Sequence, residues 1–138
     1  MARLPWFRKS GGASVGPDPF KDALDEIRSF ESLAQNWDSG GALPIQEHVR
    51  SRAERFLTET RGVAPRTPDV LATPEGGIDL IWKVKLQEGP ARIELHVLDR
   101  GTELLVRLQG RRRHPFEERL DDYNAEKTVI HLLKSSIA

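Results

Sequence analysis

Residues 69–108 read DVLATPEGGIDLIWKVKLQEGPARIELHVLDRGTELLVRL, and the fold turns on this stretch. Three X-Gly pairs punctuate it: Glu75-Gly76, Glu88-Gly89 and Arg100-Gly101. Glycine accepts positive φ without steric cost, so each pair can close a tight hairpin. Between the pairs apolar and polar residues alternate, the period of a strand with one buried face. Ile78, Leu80, Trp82, Val84 and Leu86 share one side of the first long strand. Ala91, Ile93, Leu95 and Val97 share one side of the next, and Leu104, Val106 and Leu108 one side of the last. A short strand around Asp69 to Thr73 precedes them.

A register can be written down, because a slip of one residue would turn every side chain over. With each X-Gly pair at the centre of a two-residue turn, Leu71 faces Leu80. Trp82 faces Leu95, which faces Val106; Val84 faces Ile93, which faces Leu108. On the other side Lys83, Glu94 and Arg107 line up with alternating charge, a favourable cross-strand row. Three independent turns then agree on one apolar face, which predicts a four-stranded antiparallel meander. The outer face is mixed. It carries Asp79, Lys83, Lys85, Arg92, Glu94 and Arg107, with an apolar-leaning row of Ile81, His96 and Leu105 suited to a partner or to a helix.

Helices flank the meander. Asp18 is a plausible N-cap with Pro19 at the first helical position, where its missing N–H costs nothing. Phe20, Ala23, Leu24, Ile27, Phe30, Leu33 and Ala34 follow at helical spacing, and Asn36 is a left-handed stop. A second helix runs from about Ile45 to Arg61, with Gly62 beyond it and Pro65 and Pro68 forcing an extended stretch. A last helix spans about Ala125 to Ser135, capped by Asp121, Asp122 or Asn124. The order α-α-β-β-β-β-α defines an α+β fold, a four-stranded antiparallel meander packed with helices. Four strands make a sheet roughly 19 Å wide, which two helices cover. The first helix is then surplus. It crosses the others, covers the outer sheet face, or buries its stripe in another molecule.

The chain has 138 residues, 38% hydrophobic and 30% charged, which supports a single domain over residues 18–138. Residues 1–17 read as a flexible basic and aromatic tail, in which Trp6 and Phe7 can insert into a partner or fold back. Lys plus Arg and Asp plus Glu both number 21, so bulk charge does not hold this protein on nucleic acid. Cysteine is absent, which excludes a disulfide framework. No run approaches the roughly 20 apolar residues of a membrane span, and the N-terminus lacks the apolar core of a secretory signal. The expected compartment is the cytoplasm.

Signals for catalysis are poor. His48, His96, His114 and His131 sit in no H-E-x-x-H or H-x-E pattern. No serine lies in a G-x-S-x-G elbow, and neither a P-loop nor a dinucleotide fingerprint occurs. Glu117-Glu118 and Asp121-Asp122 read as a solvated helix start more readily than as metal ligands. The expectation is therefore no catalytic residue, no metal and no cofactor. Triads are spatial, however, so a small enzyme with an assembled site stays open as a further alternative.

The most distinctive run is Asn36-Trp37-Asp38-Ser39-Gly40-Gly41-Ala42-Leu43-Pro44. It reads either as an aromatic plug whose turn Asp38 caps through backbone N–H groups, or as part of a recognition surface. Together with Gly76 or Gly77 and Trp82 it resembles a widespread family of small bacterial proteins of unknown function. Their hallmark is Asn-Trp-Asp-Gly-Tyr-Gly-Ala-x-Pro, later followed by a Pro-Asp-Gly turn and a strand ending in Glu-Trp. Asn36, Trp37, Asp38, Gly41, Ala42 and Pro44 match; Ser39, Gly40 and Ile81 depart. The resemblance spans about residues 33 to 85 and implies no assigned activity.

The leading expectation is a non-enzymatic protein-interaction module: an accessory, inhibitor or antitoxin-like partner of a larger protein in a bacterial multi-gene system. A protein partner or self-association would use Trp6, Phe7, Phe20, Leu24, Ile27, Phe30, Asn36, Trp37 and Asp38. The alternative is a nucleic-acid-associated accessory protein using Arg107, Arg111, Arg112, Arg113 and His114, a basic end whose binding should fall with salt.

Overall fold

The computed structural model describes residues 18–63, 67–108 and 116–136. Helix α1, Pro19–Ser29, starts where Asp18 accepts the backbone N–H groups of Phe20 and Lys21, and ends in a 3-10 turn over Phe30–Ser32. Helix α2 is Glu47–Thr60. The strands are β1 Asp69–Ala72, β2 Ile78–Leu86, β3 Gly89–Leu98, β4 Gly101–Leu108 and β5 Phe116–Leu120. Helix α3, Asp122–Lys134, is capped by the Asp121 carboxylate on the Asn124 N–H. The fold is α+β, and the expected meander is present, extended by a fifth antiparallel strand in the order β1-β2-β3-β4-β5.

The fifth strand changes how the helices fit. Five strands at about 4.8 Å spacing span roughly 24 Å, room for three helices at 8–10 Å separation. They lie side by side on one face: α1 against β1 and α2, α2 against β2, β3 and α3, and α3 against β4 and β5. Ala23 and Ile27 of α1 and Phe30 of the 3-10 turn join Val49, Phe56, Leu57, Leu80, Trp82, Ile93, Leu95, Val129 and Leu133 in one core. Phe20, Leu24 and Leu33 pack against its rim. The first helix is therefore not surplus. Ile27 is 0% and Phe30 7% exposed, so neither is available to a partner, contrary to the expectation for this stripe.

The observed register differs from the predicted one in where the glycines stand. Leu86 pairs with Gly89 and Leu98 with Gly101, so the two-residue turns are Gln87-Glu88 and Asp99-Arg100. Each glycine stands just after its turn, with φ of +131° at Gly89 and +150° at Gly101, rather than inside it. Moving a turn by one residue changes partners by two, and that keeps every side chain on its face. Trp82 accordingly meets Ile93, not Leu95, while remaining in the core at 2% exposure. The first hairpin slips by one partner instead. Val70 pairs with Leu80, and Leu71 turns outward at 51% exposure. Its connection is a longer loop in which the Thr73 N–H donates to the Gly77 carbonyl. A Cβ on Gly77 would lie 2.9 Å from the Val97 carbonyl oxygen, which is why that position has none.

Glu117-Glu118 is part of β5 rather than a helix start. Of the other acidic pair, Asp121 caps α3 and Asp122 binds Arg52.

Candidate functional site on the outer face of the sheet

With all three helices on one side, the outer face is built by odd-numbered residues of β2 and β4 and even-numbered residues of β3. The register orders them into rows. Asp79, His96 and Glu103 form the first row, Ile81, Glu94 and Leu105 the second, and Lys83, Arg92 and Arg107 the third. Lys85 lies beyond the third row. The expected alternation of Lys83, Glu94 and Arg107 is therefore replaced by three cations in line. His96 stands between Asp79 and Glu103 in a row that Arg119 continues on β5, and not in an apolar one. Both corrections follow from the displaced turns.

Glu94 holds this face together. It is 8% exposed. Its Oε2 accepts the Arg92 Nε–H at 2.7 Å and lies 3.7 Å from the Arg107 Nε, while its Oε1 is 3.3 Å from His96 Nε2. His96 Nδ1 is 2.6 Å from Asp79 Oδ1. The hydrogen bond to Asp79 raises the His96 pKa, against the opposing effect of burial; the nearby charges of Asp79, Glu94 and Glu103 raise it further. The His96 ring thus lies between the carboxylates of Asp79 and Glu94. Ile81 and Leu105 flank Glu94 at 4% and 5% exposure, so the middle of the face is shielded and its periphery is charged.

The two ends differ in composition. Beside the first row a cavity of about 620 Å³ is lined by Thr73, Glu75, Asp79, His96, Asp99 and Glu103 among others. Arg100 also reaches it, and Asp99 is paired with His48 at 2.6 Å. The other end carries Lys83, Lys85, Arg92 and Arg107. Sites separated by four residues of one strand lie about 13 Å apart, and Glu94 between them contacts Arg92 and Arg107 on one side and His96 on the other.

The distinctive run folds as a self-contained loop. Asp38 Oδ1 accepts the N–H groups of Gly40 at 2.8 Å and Ala42 at 3.0 Å, which hold its pKa below the usual carboxylate range. Asn36 Oδ1 accepts the Gly41 N–H at 2.6 Å, and the half-buried Trp37 donates its Nε1–H to the Leu43 carbonyl at 2.8 Å. The Leu43 N–H then donates to the Pro74 carbonyl, tying the loop to the first hairpin. Asp38 thus caps the turn through backbone N–H groups, as that reading expected. Nothing in the loop gathers them toward a common ligand.

Of the expected nucleic-acid residues, Arg107 lies in the cationic row. Arg111, Arg112, Arg113 and His114 lie outside the described residues, as do Trp6 and Phe7. Sequence reasoning placed Asp79, Glu94 and His96 on the outer face but missed their network, since a one-residue shift in a turn decides which of them meet. Among the described residues no group of three or more His, Asp or Glu is arranged to hold a metal ion, and no helix is long and apolar enough to cross a membrane. Comparison with known proteins finds no matching family model, curated protein or solved structure.

Proposed function

We propose that this protein is a non-enzymatic interaction module that binds another protein chain through the outer face of its sheet. Its biological setting would be that of an accessory, inhibitor or antitoxin-like partner in a bacterial multi-gene system. The observation that carries the reading is the one-sided packing: α1, α2 and α3 all cover the inner face, and among the described residues no helix covers the ordered charge network on the other. The row Lys83, Arg92 and Arg107 adds to it. Like charges opposite one another across strands oppose folding, and among the described residues Glu94 offsets Arg92 and Arg107. Such a row gains when an anionic group docks on it. The doubly held His96 and the spent polar groups of Asn36 and Asp38 give catalysis no comparable support.

The test is capture from extracts of the native host with the tagged full-length protein and with a Lys83→Glu/Arg107→Glu variant of equal melting temperature. A stoichiometric protein held by the first and lost by the second supports the reading. Equal capture by both places binding elsewhere.

The same cationic row favours a second reading, contact with nucleic-acid phosphates. It predicts binding to mixed-sequence DNA or RNA at low salt that falls steeply as salt rises. Undetectable binding at low salt removes it.

A further inference from the structure

We propose that the proton on His96 controls how tightly the outer face takes an acidic segment of a partner protein. The proposal rests on the reading of that face as the interaction surface, and it adds the partner's charge and a control on binding. Its basis is that one buried carboxylate serves both ends of the face. Glu94 turns Oε2 to Arg92 at 2.7 Å and to Arg107 at 3.7 Å, and Oε1 to His96 Nε2 at 3.3 Å. The other ring nitrogen of His96 is 2.6 Å from Asp79 Oδ1. Only a protonated ring has an N–H for each carboxylate; a neutral imidazole turns a lone pair toward one of them. Asp79 faces the ring from β2 and Glu103 from β4. The cavity beside it adds Glu75, Asp99 and Arg100, and His48 reaches Asp99 from α2. Arg119 stands opposite Glu103 on β5. Carboxylates outnumber cations around the ring, and the hydrogen bond to Asp79 is the largest cause of its raised pKa.

Loss of the proton leaves Glu94 to the arginines. The shorter contact keeps the remaining N–H on Asp79, so the lone pair falls to the Glu94 side and Oε1 loses its donor. The charge of Glu94 is then answered by Arg92 and Arg107 alone. Those two side chains are 43% and 58% exposed, so an incoming carboxylate reaches them beside the exposed Lys83 and Lys85. The net charge that it meets has dropped by one. Linkage is reciprocal: a segment that occupies the arginines leaves Glu94 to His96 and holds the proton more firmly. One unit charge about 8–10 Å away in a half-exposed setting changes affinity roughly three- to tenfold. The cationic end is also short. Asp69 and Glu117 end the middle row, and Asp79 and Glu103 stand about 13 Å along the strands. A continuous phosphate backbone meets those acids, whereas a short run of Asp or Glu does not.

Fluorescence anisotropy on the full chain at low ionic strength, with an N-acetylated, labelled hexaglutamate peptide as probe, tests this. The peptide keeps its charge from about pH 6 to about pH 9, so only the protein titrates across that window. Wild type should bind at the lower pH and weaken roughly three- to tenfold as pH rises through the folded His96 value. His96→Asn should bind with the weaker affinity at both ends of the window. His48→Asn should respond to pH as wild type does. A second measurement needs no variant: in an NMR titration of the wild-type imidazoles, the peptide should raise the His96 pKa. An affinity that ignores pH, an undiminished pH response in His96→Asn, or a His96 pKa that the peptide does not move overturns the inference and leaves the cationic row as a binding surface. Tighter binding of an oligothymidylate of equal charge assigns the row to nucleic acid and overturns the choice of a protein segment. Lys83→Glu/Arg107→Glu should not bind the peptide at either pH. Binding equal to wild type in that variant, or no binding by wild type at any pH, removes the row as the interaction surface, and the inference falls with it.

Discussion

Replacing Arg52 by methionine should loosen α2 and α3 from the turn end of the sheet together. The Arg52 guanidinium donates to both Asp122 carboxylate oxygens at 2.8 Å, to the Leu98 carbonyl at 2.6 Å and to Thr102 Oγ1 at 2.6 Å. Thr102 in turn donates to Asp122 Oδ1 at 2.7 Å, so one helix, the next helix and the β3–β4 turn share a single cluster. The Arg52 and Asp122 side chains are 19% and 28% exposed, which leaves water able to recover part of the loss. A fully buried pair broken on one side costs about 3–5 kcal/mol, and partial exposure brings this to about 2–4 kcal/mol. With a urea slope of about 1–3 kcal/mol/M, the midpoint should fall by about 1–2 M. There is also a signature in pH. The hydrogen bonds from Arg52, the largest effect, hold the Asp122 carboxyl below its usual pKa of 3.8. Its contribution to stability is full above the unfolded value and is lost as pH falls through the folded one. Arg52→Met should therefore be less stable at neutral pH and lose less on acidification. A urea midpoint within about 0.3 M of wild type, with an unchanged acid limb, would refute the clamp.

Trp82→Ala should cost about 3–5 kcal/mol, measured by urea unfolding, because the ring is 2% exposed in the core. Trp82→Phe should stay within about 1 kcal/mol of wild type, since it also removes a buried Nε1–H that has no partner. Ser39 has φ +64° in a position where the resembled hallmark has glycine; Ser39→Gly should raise stability by about 0.5–1 kcal/mol, the left-handed strain relieved less the added freedom of the unfolded chain, read as a higher melting temperature. For His96 the folded pKa is raised above the unfolded 6.5 by Asp79, Glu94 and Glu103, with Arg92 and Arg107 reaching it only through Glu94. Its contribution is full below 6.5 and disappears as pH rises through the folded value, so His96→Asn should flatten the stability curve across that window in thermal melts.

The legible parts of the fold were those set by local chemistry. Asp18 and Pro19 mark a helix start because capping needs only neighbouring N–H groups. The faces of β2, β3 and β4 were legible because alternation survives a two-partner shift in pairing. The partners themselves were not, since a glycine just after a turn and one inside it look alike in sequence. Strand β5 was illegible for a different reason. Phe-Glu-Glu-Arg-Leu carries few β-formers, and an edge strand takes its order from the ladder of its neighbour. The candidate site depends on pairs distant in sequence: Asp79 and His96 are 17 residues apart, and Arg52 and Asp122 are 70 apart. No local pattern encodes such pairs; only a correct register does.

The misplaced helix shows how one unseen strand redirects a functional argument. Counting four strands leaves α1 without a surface and makes its apolar stripe the natural partner site. Adding Phe116–Leu120 supplies the missing width, and Ile27 and Phe30 become core. In the proposed reading the partner surface then lies on the opposite side of the sheet, where the residues are charged instead of apolar. An apolar stripe would give an obligate, salt-insensitive complex, whereas opposed charges over a shielded centre give a reversible one that ionic strength controls. The salt dependence of association therefore distinguishes the two placements of the interface without a second structure.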